Sequence, residues 1–513
     1  MQHSTPHSQL SPGNILLKSA DTFNVTAALC IFLLSYSLLL GEGRFLLQDP
    51  DTMWHIVTGQ WILDHARVPT VDPYSYTEAG KPWISTEWFA EILYALAFKL
   101  GGWTAVTIFA VTACSAILGI LCFYLLQNLR FTVAIGWAIA AAAATSPHFI
   151  ARPHIISYVI LAIWIVKLLN DYDNDTLDLR SLRVFAPLMI LWANIHGSFT
   201  LGLTLLYIFA GLSFLQNFVH HDYTRCRRLA VVVSAVTLCA FITPYGMLPA
   251  FMTTKLMNMK FALSYIVEWH SPNFQDALYR PFYLIGILCT IAGFGIRLTG
   301  PRLVAYALIT FMGLRYSRAL LMFFFLAPFI LARPAGAATR FLAPQLPGVK
   351  DDEGASDPVL DLLKRRSTAI LIGCLALAAV MTIWTSRWRE MGPPKINTPE
   401  AALEFVRSKN IKGNVFNDYL FGGFLIWSHI PTFIDGRAEL FGDDFVRQYA
   451  ETVNLTDIDK AFKVLDDYNV TWVILTPTQP LAKALTHGPW DAAYSDKYAV
   501  VFTRRPSVLP EQR

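Results

Sequence analysis

Charge is scarce in this sequence. Of its 513 residues only 15% are Asp, Glu, Lys or Arg, against about 25% in an average soluble protein. Cysteine is present without pattern: Cys30, Cys114, Cys122, Cys226, Cys239, Cys289 and Cys374 show no metal-ligand spacing and no disulfide framework. Six of them fall in apolar runs, and Cys226 falls in a basic loop. There is no internal repeat and no low-complexity tract. Gly422-Gly423 lacks the strand–glycine–helix fingerprint of a nucleotide site, and no P-loop Lys-Ser/Thr accompanies it. A formal net charge of +4 is too small to argue for nucleic acid. These absences exclude a soluble multidomain enzyme, a disordered chain, a secreted disulfide scaffold and a nucleic-acid binder.

What the sequence does have is hydrophobicity in long runs. The set AVILMFWYC makes up 54% of the chain, and the mean hydropathy is +0.42. A membrane helix needs about 20 mostly apolar residues. Runs of that kind lie near 23–41, 104–127, 131–149, 153–170, 184–196, 198–219, 228–245, 281–297, 302–314, 318–333 and 367–386, which predicts about eleven spans. The first run has no strong basic flank and no clean small-residue cleavage site, so it reads as an uncleaved anchor. Lys and Arg collect in alternate short segments, at 128–130, 171–183, 220–228, 297–302 and 333–366. Cytoplasmic loops carry such an excess. Residues 1–22 and a Pro/Ala/Gly/Asp-rich linker over 334–366 are therefore expected inside. The long loop 42–103 and residues 390–513 are expected outside.

The C-terminal stretch is different in kind: polar, mixed in charge and free of cysteine. Thr398-Pro399-Glu400 reads as an N-cap followed by Pro at the first helical position, opening a helix to about Lys409. Short β-rich runs follow at 415–416, 432–434, 470–475 and 499–503, separated by helical patterns at 443–452, 457–468 and 480–487. The chain is thus expected to be a polytopic α-helical membrane domain over 23–389 carrying an extracytoplasmic α/β domain over 390–513.

The expected outer face gathers charge that solubility alone does not require. The first outer loop carries Asp49, Asp51, His55 and Glu87; Arg152 and His154 stand where spans three and four meet, and His196 where five meets six. Glu268, His270 and Arg280 lie in the 246–280 loop, and Arg315 and Arg318 where nine meets ten. A charge at mid-membrane costs about 2.5–3.5 kcal/mol on insertion scales and less near the interface. Two carboxylates one residue apart, Asp49 and Asp51, can share a divalent cation such as Mg or Mn; one of them can be a general base; or the Asp-Pro-Asp turn simply caps the next helix. Arginines grip phosphate and stay charged in apolar surroundings, or snorkel to lipid headgroups. A base beside phosphate-binding cations is what sugar transfer from a polyprenyl-phosphate donor requires. In the C-terminal stretch Asp435 and Arg437, within Ile434-Asp435-Gly436-Arg437, follow a predicted strand. They read either as a functional turn facing the site or as an internal pair tying the turn.

The order of these features, an outer Asp after the first span, an interfacial helix, then Gly80-Lys81-Pro82 before Trp83, resembles the GT-C membrane glycosyltransferases, especially the aminoarabinose transferase and protein mannosyltransferase branch. The resemblance covers about residues 51–88. It implies a catalytic base at Asp51, with Asp49 as the alternative, and a donor-phosphate contact at Lys81. Two departures stand out: Thr52 replaces the acidic residue that follows the Asp in that branch, and the loop before Lys81 is longer. The whole chain also looks like a broad set of bacterial membrane proteins of undefined substrate.

The resemblance implies a transferase in the bacterial inner membrane, taking a polyprenyl-phosphate sugar donor and a glycan, lipid or protein acceptor from the bilayer. His55, Glu87, Arg152, His154, His196, Glu268, Arg315, Arg318, Asp435 and Arg437 are then the expected substrate contacts. A polymerase or ligase using a lipid-diphosphate donor would use the same face. A transporter or a non-enzymatic assembly subunit of polysaccharide export is the rival class; the lack of an inverted repeat or paired broken helices speaks against a transporter.

Overall fold

The computed structural model describes residues 22–273, 275, 296–342 and 358–505. The helices of the first part are Thr22–Gly41 (α1), Gly43–Leu46 (α2), Asp51–His65 (α3), Trp88–Asn128 (α4), Phe131–Thr145 (α5), Pro153–Asp173 (α6), Leu182–Ala193 (α7), Phe199–Val219 (α8), Tyr223–Cys239 (α9), Leu248–Met257 (α10), Lys260–Tyr265 (α11), Gly300–Arg315 (α12), Leu320–Leu342 (α13) and Pro358–Trp388 (α14). Among the described residues six helical segments are long and apolar enough to cross a membrane: α1, α4, α6, α8, Ser317–Ala338 and α14. A seventh, α5, is apolar but shorter. The chain is therefore a helical membrane protein. The expected span at 281–297 lies almost wholly outside the described residues, as do Arg280, Cys289 and positions 343–357 of the expected linker. Cys226, read as a loop residue, lies buried inside α9.

The helices form because their apolar residues run all round rather than along one stripe, which suits lipid or neighbouring helices on every face. Helix α1 packs between α4 and α14; α4 also packs on α5 and α6, α8 on α9, and α12 on α13. One continuous apolar core results, with Trp164, Trp192, Phe185 and Phe209 wholly buried in it. Helix α4 is two helices in series. Gly102 sits at φ +58° and ψ −149°, a conformation open essentially to glycine alone. The break separates the first turns, about four of them and expected to lie in the interface, from the long membrane segment after them.

Charge is grouped at the two ends of the bundle. At one end Arg302, 1% exposed, holds Asp173 Oδ2 at 2.5 Å and the carbonyl of Ile330 at 2.5 Å. Arg333 adds a second contact to Asp173 at 3.0 Å. Asp173 closes α6, and α6 opens directly after Arg152 at the other end. Its 21 residues span about 30 Å, a bilayer's hydrocarbon thickness.

Past α14 the chain folds into a unit around a four-stranded sheet of order β1-β2-β4-β3. The strands are Asn414–Asn417 (β1), Val470–Leu475 (β2), Trp490–Ser495 (β3) and Val500–Arg504 (β4). β1 pairs with β2 in parallel, and β4 pairs antiparallel with both β2 and β3. The parallel pair requires a long crossover. It carries Gly422–Trp427, Ala438–Phe441, Asp443–Val453 and Ile458–Asp467. The expected runs 415–416, 470–475 and 499–503 fall in β1, β2 and β4. The run 432–434 is not a strand of this sheet; it makes a single parallel bridge, Thr432 to Ser75 in the outer loop. β3 was not visible in the sequence because Asp491 and Ala492, neighbours on opposite faces, are both exposed and its residues do not alternate. The helix expected at 398–409 runs Glu400–Ser408, with Pro399 at the N-cap and no side-chain cap. The Thr398 hydroxyl instead donates to the Pro394 carbonyl at 3.3 Å.

The charge group around Asp173 gives a stability prediction. Removing one partner of a buried ion pair leaves an uncompensated charge, at about 3–5 kcal/mol. Arg302→Ala should lower thermal stability in detergent, and the Arg302→Ala/Asp173→Asn double variant should recover part of that loss. A double variant as unstable as the sum of the singles would show that the two side chains do not interact.

Candidate active site

Helix α1 ends where Arg389, beyond α14, places its guanidinium on the carbonyls of Leu40 and Gly41. A cation at the negative end of a helix is favourable. The chain then turns through Asp49-Pro50-Asp51. Asp49 Oδ1 accepts the Asp51 backbone N–H at 2.8 Å, which fixes the turn. Helix α3 starts at Asp51 with no side-chain cap. The capping expected of this triplet is thus a turn made by Asp49, and it leaves the Asp51 carboxylate free for other contacts.

Those contacts are made by Arg152. Pro153 opens α6, and a residue before proline is driven out of the helical region. Arg152 accordingly has φ −125° and ψ 159°, so it stands at the helix end rather than on its flank. Its neighbourhood is pinned by Ala151 N–H to Leu46 O at 2.7 Å, Thr52 Oγ1 to Ala151 O at 2.9 Å and Tyr94 OH to Arg152 O at 3.1 Å. Thr52, at the position where the resembled branch has an acid, therefore serves the backbone. The guanidinium meets Asp49 Oδ2 through Nη1 at 3.2 Å and Asp51 Oδ2 through Nη2 in a close ion pair. Glu268 Oε1 stands 3.9 Å from Nη1. Arg318 reaches the same Glu268 oxygen at 3.3 Å and lies 4.6 Å over the Trp269 ring.

A second line of groups adjoins the first. His55, one turn after Asp51 on α3, faces Glu91 Oε1 through Nδ1 at 3.1 Å and Glu87 Oε2 through Nε2 at 3.4 Å. His196 Nε2 meets Glu87 Oε1 at 3.1 Å. His196 Nδ1 accepts the Ser198 N–H at 3.0 Å, so the ring hydrogen of the neutral form is on Nε2 and points at Glu87. Glu91 Oε2 accepts from Ser85 Oγ at 2.6 Å. The His154 ring lies 6.3 Å from that of His196.

Burial sets the protonation of these groups. It pushes Asp49 up to about 6, against the opposing pull of Arg152. It raises Asp51 in the same way and takes Glu87 up to about 8. It lowers His55 well below the ordinary imidazole value and His196 to about 3, each helped by Arg152. Burial also works against the charges of Arg152 and Glu268, but there the opposite charges outweigh it. Asp49 and Asp51 hold Arg152 above its ordinary value, and Arg318 and Arg152 hold Glu268 below its own. Carboxyl groups that ionise near neutrality beside fixed cations are suited to accept a proton.

The structure thus brings together Asp49, Asp51, His55, Glu87, Arg152, His154, His196, Glu268 and Arg318. Four expected site residues are placed otherwise. Lys81 is 61% exposed and pairs with Glu78 at 2.5 Å; it joins none of these contacts. Arg315 is exposed, its guanidinium 5.4 Å over the ring of its neighbour Tyr316. Asp435 and Arg437 are wholly buried and bound to each other at 2.7 Å. Arg437 is also bound to Asp72 at 2.6 Å, so the charged side chains of this turn face inward rather than a substrate. A buried guanidinium needs such partners to stay charged. Asp49 and Asp51, the expected ligands of any divalent cation, do not fit as a resident pair because both already face Arg152. Among the described residues no group of three or more His, Cys, Asp or Glu side chains is disposed to hold a metal ion.

Sequence reasoning missed Glu91, Asp72 and Tyr419. Glu91 had a signal, being the one carboxylate in the 41-residue apolar α4. Tyr419, from the C-terminal unit, lies within electrostatic reach of Asp51, Asp435 and Arg152, which only the tertiary fold reveals. A separate cavity of about 680 Å³ runs along the other face of α3, lined by Trp61, Tyr74, Phe98 and Trp427 among others, and it includes none of the charged cluster.

No protein-family model matches the sequence, and no curated protein matches it. Solved structures do. The archaeal oligosaccharyltransferase AglB from Archaeoglobus fulgidus, solved with an inhibitory peptide and a dolichol-phosphate, superposes with a TM-score of 0.58 at 12% identity, over 95% of this chain and 75% of its own. The apo oligosaccharyltransferase of the same organism gives 0.52 at 11% identity, over 89% of this chain and 70% of its own. ArnT from Cupriavidus metallidurans in the apo state gives 0.50 at 14% identity, over 96% and 99%. The chain has the GT-C fold.

The raised pKa of Glu87 has a consequence for stability. Between the ordinary carboxyl value of 4.5 and about 8, the folded protein holds a proton that the unfolded chain has lost. Stability therefore falls as pH rises through that window. Asp49 acts in the same direction between 3.8 and about 6. Glu87→Gln should flatten the decline of melting temperature between pH 6.5 and 8, where Asp49 contributes little; an unchanged slope would place the proton elsewhere.

Proposed function

We propose that the protein is a membrane glycosyltransferase that moves a sugar from a polyprenyl-phosphate-linked donor to an envelope glycan, lipid or protein acceptor at the outer face of a bacterial inner membrane. The observation that carries this reading is the Asp51–Arg152 pair at one end of the helical bundle: a candidate base and a candidate phosphate ligand in one buried site. The GT-C fold supports it, and one structure of that fold was solved with a dolichol-phosphate.

In this mechanism Asp51 accepts the proton of the acceptor hydroxyl. The acceptor oxygen attacks the anomeric carbon, the bond from that carbon to the phosphate oxygen breaks, and the lipid phosphate leaves with the electron pair. Arg152 and Arg318 stabilise the charge that grows on it. Asp51 is favoured over Asp49 as the base because Asp49 Oδ1 is committed to the Asp51 N–H. Lys81, exposed and paired with Glu78, has no part in it, and no step is routed through a divalent cation.

The topology belongs to the same reading. Asp51, Glu87, Arg152, His196, Glu268 and Arg318 all fall at one end of alternate helices. Arg302 and Arg333 fall at the other end, in segments whose Lys/Arg excess favours the cytoplasm. Six described helical segments are long and apolar enough to cross between these ends, and an odd number of spans, as the sequence leads us to propose, keeps the alternation. The C-terminal unit then shares the outer face with the site.

Three results test this. A C-terminal alkaline phosphatase fusion should be active and a fluorescent protein fusion dark; the reverse pattern inverts the topology. Asp51→Asn should abolish transfer while leaving expression and melting near wild type, and full activity in that variant removes the base. Arg152→Ala should weaken undecaprenyl phosphate binding by about 1.5–3 kcal/mol, the worth of one charged contact, while Lys81→Ala leaves it unchanged. Loss of binding in Lys81→Ala with none in Arg152→Ala would return the phosphate to the Gly-Lys-Pro loop.

A further inference from the structure

We propose that Gly436 is a positioning residue: its bare backbone seats the Asp51 carboxylate against Arg152, and the buried Asp435–Arg437–Asp72 triad fixes that backbone in place. The inference rests on the reading of Asp51 as the base, and it gives the C-terminal unit a part in the reaction.

The contact requires the glycine. A Cβ built on Gly436 falls onto Asp51 Oδ1 and crowds Cγ and Oδ2 as well. Conformation does not require it. The glycines with positive φ are Gly80, Gly102, Gly246, Gly413 and Gly442, and Gly436 is not one of them. A side chain here would meet the carboxylate with no backbone strain to relieve. On its other side the Asp51 turn is gripped in the same manner, since a Cβ on Gly423 would run into the Pro50 carbonyl. Two points of the C-terminal unit therefore touch the backbone or carboxylate of 50–51 at bare glycine.

The turn that carries Gly436 is held from within. Asp435 Oδ1 accepts Arg437 N–H at 3.1 Å and Nε–H at 2.7 Å, and Asp435 Oδ2 accepts Arg437 Nη2 at 2.7 Å and the Thr432 hydroxyl at 3.0 Å. Arg437 Nη1 crosses to Asp72 Oδ1 at 2.6 Å, and its guanidinium lies over the adjoining rings of Tyr74 and Trp83, at 5.1 and 4.7 Å. Asp72 is itself fixed by the N–H groups of Tyr74 and Ser75, each at 3.0 Å. Three backbone or hydroxyl bonds then join loop to turn: Tyr76 N–H to Thr432 O at 3.1 Å, Thr432 N–H to Tyr74 O at 3.2 Å, and Thr77 Oγ1 to Phe433 O at 2.7 Å. Ion groups of this depth bring little net stability over apolar packing of the same shape. What this one supplies is geometry. The side chains of the turn do not reach a substrate; they set where its backbone lies. A unit joined in this way is a wall of the site, not a lid that swings over it.

The groups facing Asp51 are Asp49, Glu87, Arg152, Glu268, Asp435 and Tyr419, and Arg152 is the cation among them. Pushing the carboxylate off Arg152 therefore has two directional effects. Asp51 should ionise at higher pH, and the freed guanidinium should take phosphate more readily.

The test uses full-length protein in detergent, comparing Gly436→Ala with Gly373→Ala, a substitution in open space on α14. Three quantities are read: the titration of the Asp51 carboxyl band by infrared difference against Asp51→Asn, the affinity for undecaprenyl phosphate, and the melting temperature. Gly436→Ala should raise the pH of the Asp51 titration and tighten phosphate binding several-fold. Its melting should stay within a few degrees of the control, because the clash is with a side-chain end. Transfer, in the assay that Asp51→Asn abolishes, should fall about tenfold, or about 1.4 kcal/mol of barrier. Arg437→Lys, which keeps the charge but loses the fork, should move the titration the same way by less. An unchanged titration in Gly436→Ala, or a collapse of melting with weaker phosphate binding, overturns the proposal. If the titration moves as expected but Asp51→Asn retains transfer, the seat stands and the assignment of the base falls.

Discussion

The site depends on one guanidinium. Arg152 faces Asp49 and Asp51 directly and Glu268 at longer range, and without it Asp49 and Asp51 would share a buried space with no cation in contact, while Glu268 would keep Arg318. Its position follows from a dipeptide. Pro153 forces Arg152 into an extended conformation at the mouth of α6, and the Asp49 turn presents two carboxylate oxygens to the fork. A phosphate that enters this site competes with Asp51 for the same donors. On the proposed reaction, donor binding and release of Asp51 are one exchange of partners, and in a poorly solvated site each side of that exchange is worth more than in water.

The sequence carried the helices and most of the charged residues, for simple reasons. Long apolar runs have few alternatives in a membrane, and a charge at the end of such a run is expensive enough to stand out. Nine of the named residues meet because the turns and helix ends that carry them gather at one end of the bundle, and such ends can be counted along a chain. What could not be counted was lateral distance. Lys81 and Arg315 belong to segments expected on the same face, yet one is paired with Glu78 and the other lies over its own neighbour. The Asp-Gly-Arg turn misled in an instructive way. Its charged residues were the conspicuous feature, but they are spent on Asp72 and on each other, and the position against Asp51 belongs to the glycine between them. A residue with no side chain carries no chemical signal in a sequence.

In the C-terminal unit the segments of β1, β2 and β4 were readable from their apolar runs, while their pairing and β3, half exposed, were not. The run at 432–434 reads as a strand because it is apolar and β-branched. Its one strand-like partner is Ser75, more than 300 positions earlier. Local pattern reports that a segment wants an extended partner and is silent about which one.

The pairing of α1 with α14 bears on how this chain is made. The hydroxyls of Tyr36 and Thr382 meet at 2.8 Å, Arg389 closes the end of α1, and α1 packs along α14 for much of its length. The first helix to enter the bilayer thus meets one of its principal neighbours only after some 350 further residues have been synthesised. Until then the apolar flank of α1 has only lipid, or a helper protein, to lean on, and the carboxylates just beyond it wait beside an unfinished wall. Assembly of the site is on this account a late event in biogenesis. A ribosome that stops short of α14 leaves a chain with most of its membrane segments and no closed centre.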